Sequence, residues 1–233
     1  TDSQGFLPKL MEKMYNDRVH FKKLEFEAKK EYQKTKDPMY EKEISRCHNI
    51  QWAKKISLNS AYGAIGNQYF RFYNVHQATA ITTAGQFIIQ YIEQQVNKYM
   101  NDILQTKDKV DYIVASDTDS IYLCLDKLVE KVCKDKTKEQ KINFINKVVE
   151  NKLEPFIDKC FNQLAKYTNA FQQKMVMKRE CIADKGIWTA KKRYMLNVLD
   201  EEGFRFEEPK LKIMGIEAVK SSTPEVCRVA IKE

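Results

Sequence analysis

Apolar residues recur at helical spacing near the start of the chain: Leu7, Leu10, Met11, Met14 and Tyr15 set the period. Phe21, Leu24, Phe26 and Tyr32 extend it through a polar-rich stretch. Lys36-Asp37-Pro38 breaks the pattern, and a second helical stretch follows from about Tyr40 to Tyr62. Two long helices joined by so few residues predict an antiparallel hairpin, each arm projecting roughly 30 to 40 Å at the α-helical rise. The hairpin is too polar to be core. Gly63 and Gly66 predict its end, and Tyr69-Phe70-Arg71-Phe72-Tyr73 is expected to cross into the body. Ala78 to about Met100 reads as a well-buried helix.

The period then changes to two. Ile113 and Ala115, and after them Ile121, Leu123 and Leu125, alternate on either side of Ser116-Asp117-Thr118-Asp119, which predicts a β-hairpin with carboxylates at its tip. Lys138 to about Tyr167 returns to helical spacing. Lys174 to Ala183 and Trp188 to Leu199 read as strands separated by Asp184-Lys185-Gly186, and Glu202-Gly203 predicts a further turn before Phe204. The fold class is α+β: a helical hairpin on a body of antiparallel β-sheet packed against helices.

A length of 233 residues with 43% hydrophobic and 11% aromatic content is enough to bury a core and excludes a disordered chain. Forty Lys and Arg against thirty-two Asp and Glu leave a net charge of +8, which favours polyanionic partners such as nucleic acid or nucleotides, though a merely soluble basic protein has the same balance. The six cysteines form no C-x-x-C pair and have no histidines at zinc-finger spacing, so they read as reduced thiols. Neither a signal segment nor an apolar run long enough for a bilayer occurs. A start at Thr1 and an end in a charged run suggest a piece of something longer.

Asp117 and Asp119, one residue apart on a tight turn, can offer up to about four oxygens to Mg2+, which wants near-octahedral oxygen ligation. Ordinary turn chemistry accounts for aspartates there equally well. An EF-hand is excluded, because Ile121 stands where a third ligand belongs. In a hairpin turning near Asp37-Pro38, Lys22 falls level with Lys55 and Arg18 with Asn59. Arg18 and Lys22 are i,i+4 neighbours, as are Lys55 and Asn59, and Tyr62 follows one turn along. Three cations, an amide and a phenol can thus converge on a polyanion such as a triphosphate. A lysine-rich solvated arm is the alternative. Lys191-Lys192-Arg193-Tyr194 is a third basic element; on a strand, Lys191 and Arg193 would face a phosphate backbone while Tyr194 packs on the other side.

Lys55-x-x-x-Asn59-Ser60-x-Tyr62-Gly63, Asp117-Thr118-Asp119-Ser120 and Lys191-Lys192-Arg193-Tyr194, in this order, resemble motif B, motif C and the Lys-Lys-Arg-Tyr element of family B DNA polymerases. Asn74 to Thr83, Pro209 to Gly215 and Lys220 to Pro224 are similar to the replicative polymerases of T-even-type bacteriophages, and the resemblance covers nearly the whole chain. It implies fingers over residues 1–66, palm over 67–221 and the start of a thumb over 222–233. Asp119 would ligate both of two Mg2+ ions, with Asp117 a nearby or water-mediated ligand. Arg18, Lys22 and Lys55 would hold the dNTP triphosphate, and Asn59 and Tyr62 would line the nascent base pair. Thr118, Lys191, Lys192, Arg193 and Tyr194 would meet primer-template DNA. Glu180 matches a palm carboxylate near the metals, whereas Lys178 stands where relatives resemble an acidic residue.

The family's motif A, an Asp-x-x-Ser-Leu-Tyr-Pro-Ser strand, finds no counterpart in these residues. Two-metal nucleotidyl transfer needs carboxylates from two strands, so the chain is expected to be inactive alone. Its partner would be the motif A portion in cis or trans, either as the rest of an excised polymerase or as a split subunit. The open sheet edge is expected to leave the chain marginally stable, self-associating or covered by a neighbour. The resemblance further implies a sliding clamp reached through C-terminal parts, no membrane contact, and the cytoplasm of an infected bacterium. The competing readings are a noncatalytic nucleotide- or DNA-binding palm and fingers module, and a structural helical arm without ligand.

Overall fold

A computed structural model describes residues 3–106 and 110–232. The chain divides after Ala84 into two compact units.

In the first unit, helix α1 (Phe6–Thr35) and helix α2 (Pro38–Ile65) form the antiparallel hairpin. Lys36 closes α1 in the left-handed conformation, and its amide donates to the Tyr32 carbonyl at 2.8 Å. Asp37 opens α2 by accepting the Met39 amide at 2.8 Å, and Pro38 occupies the first helical position, where its missing N–H costs nothing. The seam is as polar as expected: Glu25, only 4% exposed, lies 3.2 Å from His48 and accepts from Gln51 at 3.4 Å. Among the described residues of the two helices, Ala28 and Cys47 are the buried apolar ones.

Helix α3 (Val75–Leu104) starts beyond a turn in which the Asn74 side chain accepts the Gln77 amide. Tyr69, Phe72 and Tyr73 lie on an exposed turn, Tyr69 at 88%, and the helix expected to be well buried is so only in part. The helix is longer than its apolar run, and burial is confined mainly to its second half; Ile81 and Phe87 are about half exposed, at 51% and 45%.

In the second unit, Ile92, Val96, Met100 and Leu104 recur every fourth residue of α3 and build the main core. Strands β1 (Ile113–Asp117) and β2 (Ser120–Leu123) form the expected antiparallel hairpin, with Ile121 and Leu123 packed on that core. Two asparagines of α3 position β1: Asn97 accepts the Tyr112 amide at 2.9 Å, and Asn101 bonds both the amide and the carbonyl of Val110. Helix α4 (Asp126–Cys133), short and strongly amphipathic, was not anticipated. The long helical stretch is present as α5 (Lys138–Val148), a π-helical turn (Val149–Leu153) and α6 (Glu154–Tyr167). Pro155 cannot donate into the α ladder, and the chain accommodates it with the wider turn just before. Ile157, Cys160 and Phe161 of α6 complete the core.

Strands β3 (Cys181–Ala190), β4 (Arg193–Glu201) and β5 (Phe204–Met214) form an antiparallel sheet in that order. The expected boundaries shift. Lys174 to Glu180 is irregular, and Asp184-Lys185-Gly186 lies inside β3, where its register against β4 slips. The β3–β4 turn is Lys191-Lys192. Glu202-Gly203 makes the turn predicted before β5, and helix α7 (Glu225–Lys232) follows. The α+β class stands: helices with one two-stranded and one three-stranded antiparallel sheet. Among the described residues no helix is long and apolar enough to cross a membrane.

Candidate active site

The β1–β2 hairpin pairs Asp117 with Ser120, leaving Thr118 and Asp119 as the two tip residues. Thr118 takes the left-handed conformation at φ 57°, and the Asp119 amide donates to the Asp117 carbonyl at 2.7 Å, so the backbone here is a tight closed turn. The Ser120 hydroxyl donates to the same carbonyl at 3.1 Å. The Asp117 carboxylate accepts from the Thr118 hydroxyl at 3.0 Å, while Asp119 is exposed at the apex.

The Lys-Lys-Arg-Tyr element meets this tip. Lys191 and Lys192 form a turn and do not alternate along a strand as expected, because β3 runs as far as Ala190. The Lys192 ammonium lies 3.5 Å from Asp117 Oδ1. A cleft of about 230 Å³ opens between hairpin and turn, lined among others by Ala115, Asp117, Tyr122, Trp188, Lys191, Lys192 and Tyr194. The Tyr122 hydroxyl donates to that of Tyr194 at 2.8 Å, and the Trp188 ring meets Tyr122 edge-on at 5.4 Å. Burial pushes the Tyr194 phenol well above the ordinary tyrosine range, and the Tyr122 hydroxyl, Glu180 and Asp117 add to the shift. It stays a neutral hydrogen-bonding group. Tyr122 and Trp188 escaped the sequence reading. For Tyr122 the signal was present, since it sits out of phase with core-facing Ile121 and Leu123.

Glu180 stands just before β3 and pairs with Lys212 at 2.7 Å. Burial pulls the Lys212 pKa down, but the Glu180 carboxylate outweighs it and leaves the ammonium above its usual value. Lys178 turns to Glu154 at 2.6 Å. Asp117 and Asp119 carry hard oxygen donors of the kind Mg2+ prefers. No group of three or more His, Cys, Asp or Glu suited to a metal occurs among the described residues.

On the helical hairpin, Arg18 is half-buried with its Nε enclosed, and Lys22 is half-buried as well. Lys54, not Lys55, crosses to α1, holding Asp17 at 2.8 Å and drawing its carboxyl below the usual range. Lys55 lies over the Trp52 ring at 5.0 Å. Asn59 and Tyr62 are exposed near the end of α2.

The model of DNA polymerase family B matches residues 1–232. The chain belongs to that family. The family B chain is 46% identical over 190 residues to the DNA-directed DNA polymerase of Escherichia phage RB69, covering 77% of itself and 21% of that relative. With the DNA-directed DNA polymerase of Enterobacteria phage T4 the identity is 45% over 203 residues, 83% of this chain and 22% of the relative. A DNA polymerase of Pyrococcus glycovorans is 25% identical over 227 residues, 97% of this chain and 23% of that one. The chain thus spans about a fifth of the length of its phage relatives, at 21% and 22%.

Proposed function

We propose that this chain is the fingers and palm portion of a DNA-directed DNA polymerase, over residues 1–66 and 67–221, which adds dNTPs to a primer 3′-hydroxyl with release of pyrophosphate. The observation that carries the reading is the 3.5 Å approach of Lys192 to Asp117, which brings motif C and the Lys-Lys-Arg-Tyr element to one cleft. Family B polymerases generally use divalent metal ions, and Mg2+ bound by Asp119, with Asp117 nearby, would supply Lewis-acid stabilisation of the phosphates. Glu180 is a more distant candidate, since Lys212 already neutralises it.

Arg18, Lys22 and Lys55 hold the triphosphate by charge, and Asn59 and Tyr62 border the base pair. Thr118, Lys191 and Lys192 meet the primer-template, and Tyr194, fixed by Tyr122, walls the cleft. A carboxylate on a motif A strand, in cis or trans, completes the metal shell. The cellular setting that accompanies this reading, supported by the two phage relatives, is the cytoplasm of an infected bacterium.

Primer extension with Mg2+ and dNTPs tests the reading, using the chain alone and with a polypeptide carrying a motif A strand. Extension only after that addition supports it. A second reading is a noncatalytic DNA-binding module that keeps this cleft without the chemistry. Primer-template binding that survives chelation, with no extension in either arm, would decide for that module.

A further inference from the structure

We propose that Gly215, Glu217 and Arg193 form a clamp that positions the Lys191-Lys192 turn against Asp117, and that Arg193 serves within the protein and is not a phosphate ligand. What the turn does there rests on the proposed polymerase function; how it is held does not.

Gly215 adopts φ 67°, a conformation that favours glycine, and a Cβ at this position would lie 2.1 Å from the Lys192 carbonyl oxygen and 3.3 Å from Arg193 Cγ. The residues just past β5 thus close directly on the backbone of the basic turn. That turn needs the support, because Lys192 is itself left-handed at φ 62°, uncommon for a residue with a side chain and stable only where its surroundings impose it. Immediately beyond Gly215, the Glu217 carboxylate pairs with the Arg193 guanidinium and also takes Lys220 at 3.1 Å. Arg193 Nε is closed off from solvent and one terminal nitrogen is taken by Glu217, so two of the three guanidinium nitrogens are turned to the protein. The Thr189 hydroxyl donates to the Arg193 carbonyl at 3.3 Å from across the turn. Residue 193 is therefore tied through main chain and side chain together, while Lys191 and Lys192 project from the turn it anchors.

The clamp and a plain surface carboxylate make opposite demands on charge. Removing Glu217 makes the chain more positive and liberates Arg193, which on electrostatics alone strengthens DNA binding. If Arg193 is a positioning residue, the same change loosens the turn and weakens binding.

The test measures binding of a fluorescent primer-template duplex to the chain across a salt series, with amide exchange over residues 186–194 read in parallel without DNA. Glu217→Gln is expected to weaken binding about 3- to 10-fold at every salt concentration with an unchanged salt slope, whereas Lys192→Gln lowers that slope by about one. Glu217→Gln and Gly215→Ala are both expected to speed exchange over 186–194 and leave the helical hairpin unaltered. Should Gly215→Ala unfold the chain, the partly exposed Glu217 variant carries the exchange test by itself. Tighter binding with a steeper slope in Glu217→Gln overturns the proposal, as does unchanged exchange in that variant. Absence of duplex binding by the wild-type chain would count against the polymerase reading instead, and exchange would still decide the clamp.

Discussion

The Tyr122 hydroxyl donates to the Tyr194 hydroxyl at 2.8 Å, and this bond ties the two-stranded hairpin bearing Asp117 to the three-stranded sheet whose first turn bears Lys192. Both phenols are packed with Trp188, so the link lies in partly apolar surroundings, where an unmade hydrogen bond is costly. Tyr122→Phe removes the donor and keeps the ring. The expected loss is about 1 kcal/mol of stability in urea unfolding. It should be accompanied by faster amide exchange in both turns.

A second anchor sits at the opposite end of the same sheet. Asp200 is 1% exposed, accepts from Arg179 at 2.5 Å and caps the Gly203 amide at 3.1 Å, fixing the β4–β5 turn. Asp200→Ala strands a nearly buried guanidinium and is expected to cost about 3 to 5 kcal/mol in denaturant unfolding.

Acid should release the clamp on the basic turn. Glu217 titrates below its ordinary value of 4.5, held there by its own backbone amide, then Lys220 and Arg193. A folded-state pKa below the unfolded one means that the contribution is complete above the ordinary value and disappears as pH falls through the folded value. The Gly215 amide resonance is therefore expected to be flat near neutrality and to titrate with a midpoint below 4.5.

On the arm, Lys55 stands over the Trp52 ring at 5.0 Å, and the proposed function assigns it the triphosphate. In the completed polymerase Lys55→Ala is expected to raise the dNTP concentration for half-maximal extension by about tenfold or more, with a smaller change in maximal rate. Steady-state extension against dNTP concentration separates the two effects.

Where apolar period and breaker agreed, the sequence was legible. The helix break at Asp37-Pro38 and the period-two run around Asp117 both returned as drawn, because local chemistry alone determines a cap and a tight turn. The β3–β4 region shows the limit. Asp184-Lys185-Gly186 has turn composition, yet cross-strand pairing absorbs it as a bulge. The actual turn, Lys191-Lys192, carries no Gly, Asn or Pro, and Gly215, which lets the chain close on the left-handed Lys192, is distant in sequence. For the same reason the ion pair of Lys192 with Asp117 is not legible in the sequence: only tertiary packing sets the two residues 3.5 Å apart. The exposed first half of α3 is a related case, since periodicity reports which face is apolar and not whether anything covers it.

The most direct test of the polymerase account is primer extension by the Asp119→Asn variant, completed by a motif A polypeptide and supplied with Mg2+ and dNTPs, beside its affinity for primer-template. The account expects extension to fall at least about a hundredfold while DNA affinity stays within about twofold. Extension at the wild-type rate would contradict it.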